Sequence, residues 1–191
     1  MIARSFFERD PLSCARELIG CELVWGDCAG VIVETEAYSV IDDEASHSFS
    51  RPSTRAFIAK HIPGTAYVYL NYGVHFLFNV LVKGGTEDGF VLFRALEPTR
   101  GLELMQQRRG LTKTTALCSG PGKLTQALGI FGTDHERDLC TSKRACFRGT
   151  PGAVRAVADV RIGITRSAHH PWRFLVPGNP NVSVPPRNHA L

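Results

Sequence analysis

Thr65-Ala66-Tyr67-Val68-Tyr69-Leu70-Asn71-Tyr72-Gly73-Val74-His75-Phe76-Leu77-Phe78-Asn79-Val80-Leu81-Val82 is the stretch that decides the fold. Aromatic and β-branched residues fill both arms, and Asn71-Tyr72-Gly73 lies between them with a glycine for the turn, so the segment reads as a β-hairpin. Upstream, Cys21 to Trp25 and Gly30 to Tyr38 are two more strand-like runs joined by a polar turn at Gly26-Asp27. Downstream, Phe90 to Leu96 is another strand. Asp10-Pro11 marks a helix start, with Leu12, Ala15, Leu18 and Ile19 on one face before Gly20. Pro98-Thr99 predicts a helix running to about Arg109, and Ser119-Gly120-Pro121 a shorter one that stops at Gly129. Residues 39–64 are a long polar stretch ending at Pro63-Gly64, and the last sixty residues or so read as arginine-rich strands and loops. No repeat or linker divides the chain. The expected fold is α+β: a single mixed α/β domain over residues 1–191, built around a largely antiparallel sheet with a protruding β-hairpin.

Composition narrows the function classes. Of 191 residues, 43% are hydrophobic and 21% charged, which excludes a fibrous or disordered chain. No apolar run approaches the roughly 20 residues that span a bilayer, so no membrane partner is expected. Residues 1–10 mix charges and lack an apolar core, so no secretory leader is expected and the protein is placed in the cytoplasm (the bacterial nucleoid) or a nucleus. Cys14, Cys21, Cys28, Cys118, Cys140 and Cys146 form no CxxC pair and have no histidine at zinc-finger spacing, so neither a metal nor a disulfide is expected. Charge is uneven: residues 1–100 hold nine Lys and Arg against thirteen Asp and Glu, net −4, and residues 101–191 thirteen against five, net +8. The basic half is mostly arginine, which suits a polyanion partner; an incidentally basic, solvated surface is an equal alternative on charge alone.

Four features could carry chemistry. In Val31-Ile32-Val33-Glu34-Thr35-Glu36-Ala37-Tyr38, simple alternation puts Ile32, Glu34, Glu36 and Tyr38 on one face, with the two carboxylates about 6.6 Å apart along the backbone. Such a pair can tune a general base, although on the strand alone an edge strand with a wet face is the better reading. All four tyrosines, Tyr38, Tyr67, Tyr69 and Tyr72, fall within residues 38–72 together with His47, and Tyr72 at the turn is a candidate wedge or stacking surface. Asn79 and Arg94 interrupt apolar strands, where a polar group needs partners or a wet pocket. Ser119-Gly120-Pro121-Gly122-Lys123 fails as a Walker A loop, because Leu117 and Leu124 stand where Gly and Ser/Thr belong, but Lys123 in a first helical turn suits one phosphate of a polymer.

Taken together, Val33-Glu34-Thr35-Glu36-Ala37-Tyr38, Asp43-Glu44-Ala45-Ser46-His47-Ser48, Pro63-Gly64-Thr65-Ala66-Tyr67-Val68-Tyr69, Tyr72-Gly73, Asn79, Arg94-Ala95-Leu96-Glu97-Pro98 and Leu117-Cys118-Ser119-Gly120-Pro121 resemble the alkyladenine (3-methyladenine) DNA glycosylase family. The resemblance covers most of the chain, from about Arg4 through Arg161-Ile162-Gly163 and Arg173-Phe174, while Thr54-Arg55-Ala56-Phe57 departs from the family pattern. It implies hydrolysis of the base–sugar bond of damaged purines in double-stranded DNA; separately, no cofactor is required by the sequence and a monomer is expected. It further implies Glu36 as general base for a water, held with Arg94 and the main-chain carbonyl near Ile162. Tyr38 and His47 would stack on one face of an extruded base and Tyr69 on the other, with Asn79 guarding the pocket. Tyr72 would enter the minor groove, with a groove contact assigned to His75 beside it; Lys123 is assigned a DNA phosphate from its place in a first helical turn and not from the resemblance. None of Lys60, Lys83, Lys113, Lys123 and Lys143 lies in the tyrosine and glutamate motifs, so a water nucleophile is expected rather than a Schiff base. Two rivals stand beside this: a sugar-directed glycoside hydrolase using Glu34 and Glu36 as an acid/base pair, and a non-catalytic binder of damaged or bent DNA.

Overall fold

The computed structural model describes residues 1–187. Strand β1 (Glu22–Trp25) turns into the long β2 (Cys28–Ser39), and the predicted hairpin forms as β3 (Ala66–Asn71) and β4 (His75–Val82). β5 (Gly89–Arg100), β6 (Ala145–Arg148), β7 (Val157–Asp159) and β8 (Arg173–Leu175) complete one sheet, in the order β3-β4-β5-β2-β1-β6. Every paired neighbour runs antiparallel.

β2 organises the sheet. β5 pairs with it along nearly its whole length; on its other side β1 covers Cys28 to Val31, and β8 takes over at Glu34 to Glu36. It is a central strand, and the edge-strand reading is corrected: with partners on both sides its middle has no wet margin. The simple alternation is corrected as well. Ile32 pairs with Leu96, Glu34 with Ala95 and Thr35 with Phe93, so Val33 is an extra residue on β2 and Arg94 an extra residue on β5. These two bulges turn Ile32 into the main core while Glu34, Glu36 and Tyr38 face the opposite side.

The sheet has two unlike faces. Ala66, Val68, Phe78, Val80, Val91 and Phe93 pack into the main core, where helices α1 (Pro11–Glu17) and α5 (Pro121–Leu128) lie against the strands. Asp10 caps α1, its Oδ1 accepting the Ser13 N–H at 2.8 Å. The alternate residues Tyr67, Leu81 and Phe90 pack with Phe57 and Ile58 on the other face. Those two come from α3 (Pro52–Lys60), which follows the single turn α2 (His47–Ser50) within the polar stretch of residues 39–64.

The predicted helix at Pro98-Thr99 starts later. Pro98 still pairs with Gly30 in the sheet, and only Gly101, at φ 76°, turns the chain into α4 (Leu102–Arg109). The helix of Pro121 to Leu128 ends at Gly129, as the sequence implied, in the left-handed conformation.

Asp10→Ala removes the α1 cap and is expected to cost about 1 kcal/mol. For a chain of this length that lowers Tm by about 2–4 °C. Thermal melts of the two proteins check this, and an unchanged Tm would remove the cap from the account.

Candidate active site

A cleft of about 660 Å³ opens on the less covered face of the sheet, lined by Tyr38, His47, Tyr67, Tyr69, Asn79, Arg94 and Ile162 among others. Strand register explains how residues so far apart in sequence meet. Tyr67 pairs with Asn79, Asn79 with Leu92, and Leu92 with Glu36, so one row crosses four strands. Tyr38, two residues beyond Glu36, lies one step along the same face beside Phe90.

Glu36 is fully buried immediately behind the cleft wall. Its Oε2 accepts the Tyr38 hydroxyl proton at 2.8 Å, its Oε1 accepts the Ile162 backbone N–H at 2.8 Å, and Arg94 Nη1 lies 3.3 Å from Oε1. The resemblance assigns the carbonyl near Ile162 to holding a water; the contact described here is a separate one, from the Ile162 amide to the carboxylate itself. Burial, followed by the charge of Glu36, pushes the Tyr38 phenol well above its ordinary value, so the hydroxyl remains the donor.

Glu34 is equally buried but differently occupied. It accepts from Arg173 Nη1 at 2.9 Å, Ser183 N at 2.6 Å, Ser183 Oγ at 2.9 Å and Arg94 Nε at 3.3 Å. Four donors from three segments make it a structural junction, unlike the paired acid of the glycoside hydrolase reading.

His47 opens α2 at the cleft wall. Its Nδ1 lies 3.3 Å from the Tyr67 hydroxyl, which in turn is 3.0 Å from Thr54 Oγ1 on α3. This Thr54–Tyr67–His47 chain was not legible in the sequence, since Thr54 sits where the family pattern fails. Burial first, and the nearby Arg51 charge second, lower His47 from 6.5 to about 4. A neutral imidazole therefore faces the cleft at neutral pH, with one donor and one acceptor. The His47 and Tyr69 rings touch, with centroids 4.4 Å apart and planes inclined at 59°. As they stand, the two rings leave no room for a flat group between them. Burial also raises the Tyr69 phenol.

Asn79 is buried and donates from Nδ2 to the Tyr67 carbonyl at 3.1 Å. At the hairpin tip Tyr72 is 91% exposed, with φ 49° beside Gly73 at φ 70°. His75 lies at the foot of β4 and Lys123 in the first turn of α5; both line the cleft. Not every basic residue is free for a polyanion. Arg161 and Arg173 are buried in ion pairs, and Arg109 donates to the Leu117 carbonyl at 3.1 Å. No group of His, Cys, Asp and Glu among the described residues is placed to hold a metal ion, and no helix among them is long and apolar enough to cross a membrane.

A family profile described as methylpurine-DNA glycosylase matches residues 5–180. The chain belongs to the methylpurine-DNA glycosylase family. Relatives provisionally named 3-methyladenine DNA glycosylase agree over nearly its whole length. One from Rhizobium etli is 47% identical over 95% of this chain and 88% of its own. One from Rhodopseudomonas palustris is 46% identical over 91% and 84%, and one from Rubrobacter xylanophilus 43% identical over 90% of each. As a methylpurine-DNA glycosylase family member the protein is a DNA repair enzyme of base excision, and the cleft is the place where its family resemblance and its buried carboxylate coincide.

The depressed His47 value makes stability depend on pH. The folded state resists protonating this ring, so its contribution is fully present above about pH 6.5 and is lost as pH falls toward about 4. Urea midpoints measured from pH 7 to pH 4 are expected to fall less in His47→Gln than in the wild type. Parallel curves would show that His47 is not the group involved.

Proposed function

We propose that the protein hydrolyses the N-glycosidic bond of alkylated or deaminated purines, namely 3-methyladenine, 7-methylguanine, hypoxanthine or ethenoadenine, after extruding them from duplex DNA, with water as nucleophile. The observation that carries this reading is Glu36: a dry carboxylate held by Tyr38, Ile162 and Arg94, all three of which line an aromatic cleft. No residue lining that cleft carries a carboxylate of its own, and Glu36 stands immediately behind its wall.

A base inside a helix is out of reach, and extruding it costs a few kcal/mol. Tyr72, held solvent-exposed on a strained turn, is suited to enter the helix and fill the gap. Stacking on Tyr38, His47 and Tyr69 offsets the rest, at about 1–3 kcal/mol per stacked base. Asn79, fixed by its bond to the Tyr67 carbonyl, presents its remaining groups to the base edge and would reject the amino group of normal guanine. His75 and Lys123 flank the cleft where the DNA backbone would pass.

As the C1′–N bond breaks, the base leaves with the bonding pair and the sugar becomes oxocarbenium-like. Glu36 takes a proton from the attacking water, whose oxygen bonds to C1′, and its charge stabilises the sugar cation. Arg94, with Nη1 3.3 Å from Oε1, fixes the carboxylate in place. A cationic alkylated base leaves as a neutral molecule; hypoxanthine needs a proton. The enzyme acts as a monomer in the compartment that holds the DNA.

The test is single-turnover excision from duplex DNA carrying one ethenoadenine or hypoxanthine, read as alkali-labile sites. Glu36→Gln is expected to lower the rate by about 10²–10⁴-fold. Glu34→Gln is expected to leave the rate of folded enzyme within a few-fold but to destabilise the protein by about 3–5 kcal/mol, because Arg173 and Arg94 lose a buried counter-charge. Equal kinetic damage from both would favour the glycoside hydrolase reading, and no alkali-labile product from the wild type would leave a binder of damaged DNA. Borohydride is expected to trap no covalent protein–DNA adduct.

Tyr72→Ala is expected to slow excision about tenfold or more from a paired duplex, and less where the lesion stands opposite a mismatch, since an unpaired base is cheaper to extrude. Equal slowing on both substrates would remove Tyr72 from the extrusion step.

A further inference from the structure

Asp43 and Arg161 are 118 residues apart in sequence, and both side chains are completely buried. Arg161 Nη1 and Nη2 donate to Asp43 Oδ2 and Oδ1, each at 2.7 Å. The guanidinium also lies between two rings, its Cζ 4.5 Å from the centroid of Tyr38 and 5.1 Å from that of Trp172. Nη1 donates a further bond, at 2.9 Å, to the carbonyl of Ala37, the residue between Glu36 and Tyr38. The next residue along the chain is Ile162, whose amide holds Glu36.

The carboxylate end is just as connected. Asp43 accepts the backbone N–H of Ser39 at 3.1 Å and of Ala45 at 3.2 Å, and its carbonyl accepts from Ser46 N at 3.0 Å. Residues 39–46 are the loop that leads directly into His47. One ion pair thus joins the ring of Tyr38, the amide that grips Glu36 and the loop that carries His47. Net stabilisation is a poor reason for such a pair, because desolvating two charges roughly cancels their attraction.

We propose that Asp43 and Arg161 are positioning residues for excision: they set Tyr38 and the Ile162 amide on Glu36 and fix where the His47 loop stands relative to both. Neither residue touches the substrate. The inference rests on Glu36 as the general base and adds what holds that base in its working geometry. A plain structural role and a positioning role differ in what they change. Loss of folded protein raises the enzyme concentration needed to saturate single turnover and leaves the plateau rate alone. Loss of position lowers the plateau rate of the folded enzyme.

The experiment measures single-turnover excision of ethenoadenine against enzyme concentration for the wild type, Arg161→Lys, Asp43→Asn and the double variant, with folding followed by circular dichroism. Arg161→Lys keeps the charge but loses the planar fork that meets both carboxylate oxygens and lies against Tyr38. Its plateau rate is expected to fall by about 10²-fold, as for a catalytic group displaced by about 1 Å, with half-saturation shifted less than about threefold. Asp43→Asn is expected to show a smaller loss of the same kind, and the double variant to be little slower than Arg161→Lys alone, because the two act as a unit. Folded variants with wild-type plateau rates, or with losses that multiply, would overturn the proposal. If Arg161→Lys does not fold, the plateau of Asp43→Asn decides by the same criterion. A wild type that excises while Arg161→Lys matches it refutes only this inference; a wild type that does not excise refutes the function.

Discussion

Two carboxylates stand two residues apart on one strand, both shut off from bulk solvent, and much of the molecule answers to that fact. Ionised groups taken out of solvent need charge and hydrogen-bond partners of good geometry. β2 cannot supply them, since both its neighbours are already paired strands. The partners come instead from distant parts of the chain: Arg94 from the bulge on β5, Ile162 from the segment after β7, Arg173 from β8 and Ser183 from beyond it. The late, arginine-rich third of the sequence wraps around β2 as its counter-charge. Some of the positive charge that suggests a polyanion partner is therefore neutralised inside the protein.

The same requirement separates two residues that look equivalent. Glu34 is held by four donors within the fold, among them one nitrogen from each of two guanidinium groups and a backbone amide. Glu36 is held by groups that themselves form the wall of the cleft. One step of two residues along a strand moves a carboxylate from the interior lattice to the boundary of a cavity. That difference in neighbours, and no difference in chemistry, makes one a brace and the other a candidate base.

Local signals carried much of this architecture in the sequence itself. The hairpin was legible because turn and strand preferences act within eighteen residues, and α1 because Asp10-Pro11 states its own cap. The bulges at Val33 and Arg94 were not, because each is defined only by the strand opposite. α3 was hidden in a polar stretch since it buries little: Phe57 and Ile58 cover the sheet, while buried Thr54 reaches for the Tyr67 hydroxyl. Pro98 misled because a proline that suits a first helical turn also suits the end of a strand. Around the cleft, Glu36, Tyr38, His47, Tyr69, Asn79 and Arg94 could be named from spacing and resemblance. Asp43 and Arg161 lie in stretches that carry the resemblance, but their pairing, like the bond of Thr54 to Tyr67, could not be read, because a buried contact between segments leaves no local pattern in the sequence.

The ring contact between His47 and Tyr69 changes how selectivity should be understood. The receptacle is not an empty box waiting for a base, because its own aromatic groups already satisfy each other. Under the proposed function, an incoming purine would have to displace that contact, so its net gain would be the difference between two stackings rather than the whole of one. On that reading a weakly stacking base would gain almost nothing by the exchange and would fall back into its helix. Discrimination would then begin before any bond is broken, as a contest between the guest and the protein's own furniture.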